Sequence, residues 1–241
     1  MKSALYAAVI MTLIAGGCSS NRLNLDSSDL LRDISAVDRE VTVTPENSED
    51  ILKQYVIEFV IPNPLSGGSG SRSLGENRES VIACRAALLD DFSTEADILY
   101  NCRVDSLSPE DSADYREKYL RDNVRDGMFR ILISMESGFS SKSMEPDYWS
   151  MYLETPDGIM IEPVDRIATP VITADDSLYS ETFNRTLFSI NLKRNITLYF
   201  RNTTFFGENL LGGDNPYLIL VISREQQTVA RIAWQLNNMP Q

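Results

Sequence analysis

Apolar residues recur at every second position through several stretches of the chain, which predicts strands with one face turned to a core. Over residues 54–61, Tyr55, Ile57, Phe59 and Ile61 share a face, Val56, Glu58 and Val60 take the other, and Pro62 and Pro64 close the run. Residues 128–136 group Phe129, Ile131, Ile133 and Met135, and residues 148–154 group Trp149, Met151 and Leu153. Pro156-Asp157-Gly158 then predicts a turn, because proline presets φ and glycine accepts a positive φ, and residues 159–162 return as the second arm of a hairpin. Residues 187–193 align Phe188, Ile190 and Leu192; after an Arg194-Asn195 turn, residues 196–201 align Ile196, Leu198 and Phe200. Residues 217–223 are nearly all apolar and read as a central strand, and residues 228–236 turn Ala230, Ile232, Trp234 and Leu236 inward. A weaker alternation at 39–44, stopped by Pro45, predicts a first strand.

Helical spacing is expected elsewhere. Val81, Leu88 and Phe92, with Ile82, Ala86 and Leu89, recur at intervals that predict a helix over 79–92 carrying Cys84. A second helix follows Ser108, a suitable N-cap; Pro109 fits its first position, Glu110 and Asp111 its positive end, and Gly127 its close. Leu30, Leu31 and Ile34 suggest a short helix. Six strands after residue 127, joined by hairpin-like links, predict mostly antiparallel pairing. The expected fold is mainly β: an antiparallel β-sandwich, immunoglobulin-like or jelly-roll-like, with a two-helix insertion at about 79–126. The Cys…Trp…Cys spacing of immunoglobulin domains is absent, so the sequence gives layers and not a strand order.

Composition narrows the function more than the fold. The 241 residues and their 43 % apolar fraction suffice for one large domain with a core. Thirty-five acids against 22 bases leave a net charge of −13, the opposite of a nucleic-acid footprint. There is no histidine, which removes Ser-His-Asp and Cys-His catalysis, histidine-bearing zinc sites and a histidine pH switch.

The first residues form an address. Lys2 precedes an apolar run from Ala4 to Ala15, broken only by Thr12, and Gly16-Gly17-Cys18 follows. Twelve helical residues cover about 18 Å, short of a hydrocarbon core of roughly 30 Å, so the layout is that of a signal peptide. Gly17-Cys18 resembles the lipobox of bacterial lipoproteins, which signal peptidase II cleaves before the cysteine. Ala15 stands where Leu is commoner and Gly16 where Ala or Ser is commoner, and the resemblance covers residues 1–18 alone. It implies a signal peptide of 1–17 and a mature chain that starts at Cys18, bearing a thioether diacylglycerol and often an N-acyl chain such as palmitate. Two or more acyl chains anchor stably where one is marginal. The implied compartment is the bacterial envelope, and Ser19 in place of Asp implies the outer membrane in a Gram-negative cell. A cleaved signal followed by an incidental cysteine is the alternative. Residues 18–38 then read as a lipidated polar tether and 39–241 as a single domain.

Lipidation of Cys18 leaves Cys84 and Cys102. An exported domain meets an oxidising compartment, where an even pair reads as a disulfide; a ring of about 18 residues contributes roughly 3 kcal/mol. Two free thiols are the alternative, and the spacing is unlike the Cys-x-x-Cys of a redox pair.

Other constellations read blandly. Asp90, Asp91, Glu95 and Asp97 suit a hard cation by type but lack the Asp-x-Asp-x-Asp-Gly alternation, so a solvated helix end is expected; the Gly212-Gly213-Asp214-Asn215 turn is no better placed. The Ser66-to-Ser71 glycine-rich run lacks the spacing of a phosphate loop, and Ser140-Ser141-Lys142 is a polar loop rather than a Ser-Lys dyad. Asn184, Asn195 and Asn202 head Asn-x-Ser/Thr triplets that read as turn and edge residues. Among Trp149, Tyr152, Tyr199, Phe205 and Phe206, core packing is expected of Trp149; the pair Phe205-Phe206 before Gly207 is the candidate interaction loop, with burial of the pair the favoured expectation. No catalytic residue, metal site or cofactor is expected. The expected role is a lipid-anchored envelope module that binds or supports another envelope protein or polymer. The alternatives are a carrier or sensor of an apolar ligand and a carboxylate-dependent glycan hydrolase.

Overall fold

The computed structural model describes residues 31–39, 41–63, 81–137, 142–155, 158–174, 191–205, 207, 209–211 and 217–236. Among these the chain is mainly β, with two sheets and three α-helices and no barrel. The first sheet runs in the order β1 (Leu31–Val37), β11 (Gln227–Leu236), β10 (Tyr217–Arg224), β5 (Ser150–Glu154), β6 (Met160–Ile161). The second runs β2 (Val56–Pro62), β3 (Val81–Leu89), β4 (Met128–Ser137), β9 (Asn191–Arg201), β7 (Asp165–Ala168), with β8 (Ile172–Ala174) also on β9. Every pairing is antiparallel except that of β1 with β11. The helices are α1 (Ser48–Gln54), α2 (Asp91–Val104) and α3 (Pro109–Asn123).

One hydrophobic cluster takes side chains from both sheets. Ile57, Phe59 and Ile61 of β2, Ile131 and Ile133 of β4, and Leu220, Ile232 and Trp234 of β10 and β11 are all in it. The alternation that predicts strands therefore also selects the core. Trp234 Nε1 donates to the Tyr55 carbonyl at 2.9 Å, so the largest buried ring also fixes one sheet against the other. The hairpin after β5 forms, with Gly158 at φ +80° and β6 returning along β5.

Several expectations are corrected. Residues 81–89 form strand β3, not a helix, and Cys84 lies on it facing the core. The run's Ala and Leu residues match helical spacing because Ala87 and Leu89, on the face opposite Ala86 and Leu88, are buried as well. The helix expected there begins later, as α2, and Cys102 sits near its end. The described residues of 39–44 are in no strand; Asn47 Oδ1 accepts from Thr44 N and shapes a turn into α1, a helix that the alternation did not announce. Leu31–Val37, assigned to tether and helix, is strand β1. Its partner β11 lies some two hundred residues away in sequence, so no local pattern announces it. Arg194-Asn195 is no turn: β9 runs straight through it, held by Thr169, whose carbonyl accepts from Arg194 Nε at 2.7 Å and whose hydroxyl accepts from Asn195 N at 3.0 Å.

Candidate functional site

The segment after β9 crosses from the second sheet to β10 in the first and carries Phe205, which is 98 % exposed. It is pinned at both ends. Asn202 N donates to the Gly127 carbonyl, Leu210 N donates to the Asn202 carbonyl, and Leu211 N donates to Asn202 Oδ1. Thr203 and Asn209 form a bridge, Gly207 N closes a turn on the Thr204 carbonyl, and Leu210 and Leu211 are buried. Phe205 thus stands exposed between described residues that are bonded on either side of it.

Beside the base of this loop lies a buried ion pair. Arg39 and Asp90 join side chain to side chain, both almost wholly buried. Arg39 also donates to the Leu211 carbonyl at 2.9 Å and to the Tyr55 hydroxyl at 3.2 Å. Asp90 caps α2: its Oδ1 accepts from Ser93 N, while the Ser93 hydroxyl accepts from Asp90 N, a reciprocal capping box. One guanidinium therefore ties the end of β1, the start of α2 and the crossover loop together.

α2 and α3 meet the second sheet partly through polar groups. Phe129 and Ile131 turn into the core, so Arg130 between them faces the helices. Its Nη2 donates to the Tyr119 hydroxyl at 2.6 Å, and that hydroxyl donates to Asp97 Oδ2. Asn101 Nδ2 donates to Asp97 Oδ1 at 2.9 Å. Burial pushes the Asp97 carboxyl above its ordinary range, against the hydrogen bond of Tyr119, the charge of Arg130 and the amide of Asn101. Burial, and then the charge of Asp97, pushes the Tyr119 hydroxyl well up. Tyr119 is the one buried residue of α3, and an Arg116–Glu95 ion pair at 2.6 Å adds a second tie to α2. A cleft of about 10 Å³, lined by Asp91, Thr94, Arg130 and Tyr199 among others, has room for about one water. The arrangement docks a helix.

Asp90, Asp91, Glu95 and Asp97, expected as a solvated helix end, divide in the fold. Asp90 and Asp97 are instead buried and bonded, and Tyr119, Arg130 and Arg39 were not singled out. The Asp-x-x-Ser spacing of Asp90 and Ser93 was the available signal for the start of α2.

Cys84 and Cys102 are free thiols, and the expected bridge is not formed. Cys84 points into the sheet core, where burial pushes its thiol far up; Cys102 is partly exposed on α2, its thiol raised mainly by burial and eased by a hydrogen bond with Ser112. The two face different surroundings because Cys84 lies on a strand, not on the expected helix. Trp149 and Tyr199 are buried, and Phe205 is not. Among the described residues no three His, Cys, Asp or Glu side chains gather to hold a metal, and no helix is long and apolar enough to cross a membrane. Cys18, Phe206, Asn184, Ser140, Ser141 and residues 66–71 and 212–216 lie outside the described residues.

No protein-family model, no curated protein and no solved structure matches this chain.

Proposed function

We propose that this chain is a lipid-anchored protein of the bacterial envelope, a β-sandwich that binds another envelope component and catalyses nothing. The lipobox-like Gly17-Cys18 supports the anchor. Two sheets that share one hydrophobic cluster support the sandwich. The observation that carries the binding role is Phe205, 98 % exposed on a loop fixed by buried leucines and backbone bonds. Exposing a whole aromatic ring to water forgoes roughly 2 kcal/mol of burial, which a partner's pocket recovers.

Quantitative co-purification from crosslinked envelopes tests this reading, with wild type compared against Phe205→Ser. At least one envelope component should fall tenfold or more in the variant, at unchanged amounts of the chain itself. Equal recovery of every component would overturn the binding role.

A further inference from the structure

We propose that α3 is a hinged strap: it lifts from the body and melts as one unit while both sheets stay folded, and its release uncovers Arg130, Asp97 and Cys102. The device is independent of the anchor and of Phe205.

The strap hangs between two fixed posts. α2 closes with Ser106 in the left-handed region at φ +51°, a place where glycine is usual. There Ser106 N donates to the Arg103 carbonyl and Leu107 N donates to the Cys102 carbonyl, a paired closure that ends α2 and turns the chain back. On the far side Gly127, at φ +67°, accepts from Asn202 N through its carbonyl and so is held to the end of β9. Between each post and the helix the backbone is extended: Ser108 stands at φ −64° and ψ 163°, and Val124 at φ −103° and ψ 138°. Rotation at Ser108 and Val124 swings α3 and leaves the hydrogen bonds of α2 and β4 in place, as hinge positions at element ends do.

The grip on the strap is polar. Tyr119 is the one buried residue of α3. Its ties to the body include the Tyr119 hydroxyl between Asp97 and Arg130, the Arg130 guanidinium 5.4 Å from the Tyr119 ring centre, the Arg116–Glu95 ion pair and the hydrogen bond of Ser112 with Cys102. Beneath it α2 buries Thr94, Asp97 and Asn101. When α3 lifts, water takes the places of the lost partners, so the opening exchanges one set of hydrogen bonds for another. Global unfolding must also expose Ile131, Leu220 and Trp234, which share the core, and therefore costs far more. A free helix of fifteen residues is marginal in water, so lifting and melting coincide.

Native-state hydrogen exchange of the whole chain at low urea tests the strap. Amides of α3 should share one opening, roughly a hundredfold more frequent than that of β4 and β10 and with a shallower dependence on urea. Ala113→Gly, an exposed change inside α3, should raise that opening about fivefold and leave β10 unchanged. Alkylation of Cys102 should quicken by the same factor while Cys84 stays unlabelled. Amides of α3 that exchange with the frequency and urea slope of β10 would show a single cooperative unit and overturn the proposal. Exchange in α3 that is graded inward from its ends, or alkylation of Cys102 that is indifferent to Ala113→Gly, would overturn it equally.

Discussion

Tyr119 gives its hydroxyl hydrogen to Asp97 and receives one from Arg130, so a single phenol joins a buried carboxylate on α2 to a buried guanidinium on β4. α3 buries nothing else of its own. A fifteen-residue helix with eight charged side chains is therefore held to the body largely by one ring and its oxygen. Tyr119→Phe keeps the ring and strands both partners. The expected loss is roughly 3 kcal/mol, since each partner is charged and buried. Urea denaturation measures it, and amide exchange should quicken in α3 before α2. A loss below about 0.5 kcal/mol, the ordinary scale of a surface change, would contradict the network's role.

The same groups set a pH dependence with a definite sign. Asp97 has a raised folded-state value, so its contribution is complete below its ordinary 3.8 and is lost as pH rises through the raised value. Acidification from neutrality should thus favour the wild type relative to Asp97→Asn. Tyr119 is also raised, so its contribution is complete below 10.0 and is lost as pH climbs beyond it. The advantage of the wild type over Tyr119→Phe should shrink in that alkaline range. Urea midpoints at several pH values check both; parallel lines for wild type and variants would refute the assignment.

Arg39 neutralises Asp90 inside the fold and holds the crossover loop by the Leu211 carbonyl. Arg39→Met keeps the apolar stem and leaves a buried carboxylate uncompensated, which costs about 3–5 kcal/mol. Amide exchange at Leu210 and Leu211 should rise with it. Stability lost without any change at those two amides would separate the ion pair from the loop.

The thiols should differ in access. In the native protein, iodoacetamide is expected to label Cys102 slowly and Cys84 only after unfolding. Non-reducing peptide mass spectrometry should find both unlinked. A Cys84–Cys102 peptide pair would show that the folded arrangement differs from this one.

Strands that alternate cleanly were legible in the sequence. In β2, β4 and β11 the large apolar side chains alternate, so Phe59, Ile131 and Trp234 sit where period two puts them. The helix α2 was hidden because its buried residues mix polar and apolar, Ser93, Thr94, Asp97 and Asn101 beside Ala96, Ile98 and Tyr100, so no apolar stripe results. β3 was misread for the converse reason, as burial on both faces near Ala87 and Leu89 erases the alternation. The network at Tyr119 depends on three elements meeting, which no local spacing encodes. Phe205 was singled out as a loop aromatic before glycine; its outward direction depends on Leu210 and Leu211 anchoring the far side of the loop.

Intact mass spectrometry of the chain extracted from membranes tests the central claim most directly. The expected species begins at Cys18 and carries the added mass of a diacylglycerol, with or without a further acyl chain. A chain that still begins at Met1, or one that is cut and bears no lipid, would contradict the account.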